Sequence, residues 1–225
     1  LTAGQPGVES THAVVAMALW ELGKQDQADC HMRDAATRED SPSDAQADAA
    51  WILAATGEVD DAWLLLGRAA RGAMDGAVEP GAHACVQYSR VLVSLVAGNV
   101  PEAAAAVENA WEGSIELDAI ARHASLAAMV ALASGAPSDA FELADEGLRV
   151  AVAQGAGHWE RWLCLVRSVA AGNRDEYRRS VLALLATARL STLALADVIL
   201  QGLPLLDAVP QALEESITRW PRRWL

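Results

Sequence analysis

The chain has 225 residues, 52% of them apolar and 21% charged, which is enough to bury a sizeable core and excludes a disordered chain. A net charge of −13 repels phosphate backbones and disfavours direct nucleic-acid binding. Three widely spaced cysteines, Cys30, Cys85 and Cys164, cannot make a disulfide framework and suit a reducing, cytoplasmic setting.

The charge is uneven. Residues 1–65 carry 12 acids against 3 bases, whereas residues 156–225 carry 7 against 9. Leu1–Gly7 has neither a basic start nor an apolar run, so no secretory leader is expected. The start at Leu1 without methionine reads as a piece of a longer protein. The most apolar stretch, Ser180–Leu206, is interrupted by Arg189, Asp197 and Pro204, which argues for buried helices and against a membrane span. Alanine makes up about a fifth of the chain, which favours helix and close helix approach.

Along the chain, Gly23, Gly57, Gly98, Gly135 and Gly172 each end an alanine-rich stretch and begin a short polar turn. They lie 34, 41, 37 and 37 residues apart, a range that signals helical repeats. Five residues after them stand Ala28, Ala62, Ala103, Ala140 and, breaking the pattern, Tyr177. The unit is a helical hairpin whose first helix closes on the glycine, where a left-handed cap is cheap. Acids in the first turn of each second helix complement its dipole.

Hairpin one is predicted over Val8–Leu22 and Gln25–Glu39, and hairpin two over Ser43–Thr56 and Val59–Arg71. Hairpin three spans Ala82–Ala97 and Pro101–Glu112, and hairpin four Leu117–Ser134 and Pro137–Ala153. Hairpin five spans His158–Ala171 and Arg174–Arg189. Gly76–Gly81 and Gly155–Gly157 read as loops. The tail holds a helix near Thr192–Gln201, a break at Pro204, and a helix across Leu205–Arg219 that Pro210 should dent or restart. No segment alternates as a strand would.

This pattern resembles the tetratricopeptide repeat. Small residues recur seven before the glycine (Ala16, Ala50, Ala128) and twelve after it (Ala35, Ala69, Ala110, Gly147). The departures are His12, Gln46, Gln87, Ala124 and Arg161 at the family's tryptophan position, the missing closing prolines, and Leu165, Tyr177 and Leu184 in hairpin five. The resemblance implies an all-α, right-handed α–α superhelix. About five degenerate hairpins would fill residues 1–190, and capping helices continuous with them residues 191–225. The close of the chain, Trp220-Pro221-Arg222-Arg223-Trp224-Leu225, is similar to the C-terminal helical arrays of large bacterial multidomain regulators. That likeness implies a sensor or scaffold module.

Candidate chemistry is sparse. The sequence has no phosphate-binding loop, nucleophile elbow or zinc-protease motif. Asp60-Asp61 reads better as a helix start than as a metal pair. Cys30-His31 and His83-x-Cys85 diverge around a helix and lack the paired spacing of a zinc site. The family's concave groove is lined by residues three, six, ten and thirteen before the glycine. Those positions collect Trp20, Trp51, Tyr88, Arg122, Trp159 and Trp162 as candidate binding residues, in company with Met17, Leu92, Leu95 and Met129. Aromatic residues and arginine suit a protein-binding hot spot, and large aromatics equally fill solenoid cores. The expectation is a non-enzymatic module, without cofactor or metal, that binds a protein or peptide or associates with itself. The alternative is a small-molecule sensor with an enclosed apolar pocket.

Overall fold

A computed structural model describes residues 43–75, 80–111, 119–187 and 194–218, with Val15, Leu19, Gln27, Cys30 and His31 of the preceding segment. The chain is all-helical, and no strand occurs among the described residues. In chain order the helices are α1 (Ser43–Thr56), α2 (Val59–Asp75), α3 (Pro80–Val96), α4 (Val100–Trp111), α5 (Ala119–Ala133), α6 (Pro137–Gln154), α7 (Gly157–Ala170), α8 (Arg174–Thr187), α9 (Ala196–Gly202) and α10 (Gln211–Ile217), with a 3-10 turn at Leu203–Leu205 between the last two. Hairpins two to five are therefore α1–α2, α3–α4, α5–α6 and α7–α8. Hairpin one lies outside the described residues except for five positions, all of them helical.

One turn geometry closes all four hairpins. Gly57, Gly98, Gly135 and Gly172 have φ of 107°, 73°, 74° and 63°. Each glycine N–H donates to the carbonyl three residues back, and the next N–H to the carbonyl five residues before itself, as in Gly135 to Leu132 (3.1 Å) and Ala136 to Ala131 (2.9 Å). These paired bonds satisfy the carbonyls a helix end leaves open. The left-handed backbone is what demands glycine. At Gly135 an added Cβ would meet nothing within 4 Å, so only backbone strain resists a side chain. Gly135→Ala should therefore cost about 1–2 kcal/mol with no change in packing. Urea titration checks this, and a midpoint equal to wild type would contradict it.

The positions five after each glycine, Ala62, Ala103, Ala140 and Tyr177, are all fully buried. So are Ala50, Val91, Ala128 and Leu165, seven before it. Ala69, Ala110 and Leu184 are buried twelve after it, and Gly147 holds the same place in α6. The sequence register thus places the contact points between helices. Replacing Ala62 or Ala103 by leucine overfills a closed contact and should cost about 1–3 kcal/mol. Thermal midpoints unchanged in both variants would break the link between register and packing.

Among the described helices, every pair in substantial contact is one or two apart in the order given above. First helices stack in succession (α1 on α3, α3 on α5, α5 on α7), and α9 packs on α7. α1 is buried along Ala47, Ala49, Ala50, Ile52, Leu53, Ala54 and Ala55, and Leu19 of the preceding segment packs into the same core.

The tail corrects the sequence reading. The helix expected across Leu205–Arg219 covers only Gln211–Ile217. Leu206 is extended, and Pro210 caps α10. Proline cannot continue a helix, and it biases the residue before it away from helical backbone. Pro80 and Gly81, expected in a loop, open α3.

Candidate functional site

The described candidate residues all come from first helices, and they divide by depth. Trp51 of α1 is half-buried against the core. Tyr88 of α3 is only 5% exposed and Trp162 of α7 only 3%, so both are core side chains. Arg122 of α5 and Trp159 of α7 are partly exposed, and Trp159, like Trp51, packs against the core. Trp20 lies outside the described residues.

The division follows helix position. Residues ten before the glycine are Ala47, Tyr88, Ser125 and Trp162, and all four are buried. Residues thirteen before it include Cys85, Arg122 and Trp159, and these three are partly exposed. Two of the six expected surface residues are therefore corrected to packing. Met129, six before its glycine, is likewise buried, whereas Leu92 at the same place in α3 is half-buried.

Stacked first helices bring some candidates together. The Arg122 guanidinium carbon lies 4.2 Å from the centre of the Tyr88 ring, so a cation from hairpin four covers an aromatic face of hairpin three. At the start of α7, Trp159 and Trp162 meet edge to face with ring centres 5.2 Å apart. His158 lies 4.8 Å from Trp159 and 5.2 Å from Trp162. Trp51 belongs to neither cluster. The partly exposed members of this face are aromatic, aliphatic and cationic.

The residues that sequence reasoning missed make an ionic cluster joining three helices. Arg167 of α7 donates through Nε to Glu176 of α8 at 3.0 Å, and through a terminal nitrogen to Asp145 of α6 at 3.1 Å. Burial opposes its charge, but bonding to Glu176 and Asp145 outweighs that and holds the guanidinium more basic than usual. The readable signal was Asn173-x-x-Glu176, whose asparagine Oδ1 accepts the Glu176 N–H at 3.1 Å. Burial pushes the Cys164 thiol up and the His123 imidazole down, so both favour their neutral forms.

The other candidate residues are placed as follows. Asp60 and Asp61 are exposed in the first turn of α2. Gly155, with φ of 67°, closes α6, and Gly157 opens α7, so the glycine-rich stretch is a tight link between hairpins. Cys30 is exposed, and the Cys85 thiol donates weakly to Asp48 at 3.9 Å. Among the described residues no group of three or more His, Cys, Asp or Glu side chains is placed to hold a metal ion, and no helix is long and apolar enough to cross a membrane.

Comparison with protein-family models finds no match, and neither curated proteins nor solved structures yield a significant one.

Proposed function

We propose that the chain is a non-enzymatic, tetratricopeptide-like α-solenoid of about five hairpins. In this reading it winds as a right-handed superhelix and serves as a protein- or peptide-binding scaffold within a larger bacterial regulator. The observation that supports the architecture is that, among the described helices, substantial contacts join those one or two apart, as in the quasi-one-dimensional packing of solenoids. Four repeats of one glycine turn support the hairpin as its unit. The binding surface is the face of first helices where Trp51, Arg122 and Trp159 stay partly exposed, a residue set that protein hot spots favour. Tyr88 and Trp162 back it from the core. In this reading the module acts in the cytoplasm and needs no cofactor.

The test is selection of a random-peptide display library on the whole chain, followed by counter-screening with Arg122→Gln and Trp159→Ala. Peptides that lose at least about tenfold in affinity to both folded variants, equivalent to 1.4 kcal/mol, support the surface. Enriched peptides indifferent to both variants would move the site elsewhere. Failure to enrich any peptide, together with thermal stabilisation by a small metabolite, would favour the enclosed-pocket alternative.

A further inference from the structure

Helix α2 is apolar on its inner face and carries a second ordered stripe on its outer one. Ala62, Leu65, Leu66, Ala69 and Ala73 are buried, and α2 packs on α1 and α3. On the opposite side of the same helix, Asp60, Leu64, Gly67, Arg71 and Met74 follow one another at steps of four, three, four and three residues. All are exposed but Gly67, which is half-buried. Leu64 and Met74, 66% and 75% exposed, are the most exposed large apolar side chains among the described residues. A single exposed leucine is ordinary. The spacing is not, because alternating steps of four and three keep one line of a helix against a partner helix.

Gly67 points the same way. Glycine inside a helix is destabilising relative to alanine, so a helical glycine calls for a contact that needs it. Three others have one inside the molecule: a Cβ at Gly72, Gly147 or Gly202 would collide with Ser43, Ala124 or the Tyr177 ring. At Gly67 it would meet only the flexible end of Arg71, at 3.7 Å, among the described residues. The glycine therefore opens a notch in the outer stripe, with Leu64 one turn before it and Arg71 one turn after.

The order of charges selects the occupant. Asp60 stands at the start of the stripe and Arg71 near its end. A parallel copy of α2 would set Asp60 on Asp60 and Arg71 on Arg71. An antiparallel copy, with the two-fold axis between Leu65 and Leu66, sets Asp60 against Arg71 and Leu64 against Gly67, and symmetry makes each contact twice. We propose that the outer stripe of α2 is a self-association surface, and that it takes the antiparallel α2 of a second copy of this chain. Leu64 of each copy seats in the Gly67 notch of the other, Asp60 pairs with Arg71 across the seam, and Met74 covers the turn at the other copy's Gly57. A helix of 17 residues is about 25 Å long, so the contact is small and association is reversible and concentration-dependent. The stripe lies on a second helix and shares no residue with the first-helix face of Trp51, Arg122 and Trp159.

Sedimentation velocity on the whole chain at rising concentration should show a monomer–dimer equilibrium. Leu64→Gln, Asp60→Arg and Arg71→Asp should each weaken it by at least about tenfold. An equimolar mixture of the Asp60→Arg and Arg71→Asp variants should associate again, because an acid then faces an arginine at both charged contacts. Gly67→Ala should raise the thermal midpoint of the monomer and yet weaken dimerisation, opposite signs that separate docking from folding. A chain monomeric at every concentration would overturn the proposal and assign the stripe to a different protein. So would a dimer indifferent to Leu64→Gln, or charge variants that fail to rescue each other.

Discussion

Tyr177→Ala should be among the most damaging single changes in this chain, costing about 3–5 kcal/mol as large aromatic truncations in cores do. Tyr177 occupies a position that is alanine in the three preceding described hairpins, yet it is fully buried. The tail creates its space. The Tyr177 hydroxyl donates to the Ile199 carbonyl at 2.7 Å, and α9 ends on Gly202, where a Cβ would fall 2.2 Å from the tyrosine ring. Gly202→Ala should therefore overpack the same contact and cost about 1–3 kcal/mol or more. The two changes should not add, because once the ring is gone the new methyl meets no obstacle. Chemical denaturation of both single variants and the double variant measures this coupling. Additive losses would show that α9 is not seated on the ring.

The same contact predicts an alkaline limit. Burial raises the Tyr177 phenol above its ordinary value of about 10, favouring the neutral form in the folded chain. Because the folded value is the higher one, this contribution to stability is fully present below about pH 10 and is lost as pH rises toward the folded value. Tyr177→Phe should flatten that part of the stability profile. An identical alkaline decline in the phenylalanine variant would assign it to other groups.

Tyr177 also shows where the sequence stops being readable. The marker glycines and their alanines were legible because each is a local pattern answering a local demand, a left-handed turn or a close helix contact. Helix ends followed from the same signals to within a few residues. The partner of Tyr177 was not legible, since Gly202 lies in another element and carries no motif. Pro210 gave a visible warning, but only tertiary placement decides between bending a helix and starting one. The candidate surface failed in the same way. Periodicity put Tyr88 and Trp162 on the expected helical face, yet the stacking of α5 on α3 and the packing around α7 decide that ten before the glycine is inside and thirteen before it is at the rim. Arg167 was missed because its partners, Asp145 and Glu176, converge from two other helices.

Gly147→Ala should destabilise the chain, against the usual rule. In a helix interior, alanine in place of glycine normally gains about 0.5–1 kcal/mol through backbone entropy and propensity. Here the added Cβ would lie 2.5 Å from the Ala124 Cβ and 3.0 Å from Leu163 Cδ2. Leu163 is fully buried and cannot swing out, and a methyl on α5 has no rotamer to escape into. Relief requires α6 to move away from α5 and α7, loosening two interfaces, with an overpacking cost of about 1–3 kcal/mol that outweighs the helical gain. Gly67 of α2 is the internal control. A Cβ there would meet only the flexible end of Arg71 at 3.7 Å, so Gly67→Ala should raise stability by about 0.5–1 kcal/mol. Ala124→Gly combined with Gly147→Ala moves the methyl across the interface and should recover part of the loss. Thermal midpoints that rise for both Gly67→Ala and Gly147→Ala would mean that α6 is not closely packed at Gly147 against Ala124 of α5 and Leu163 of α7.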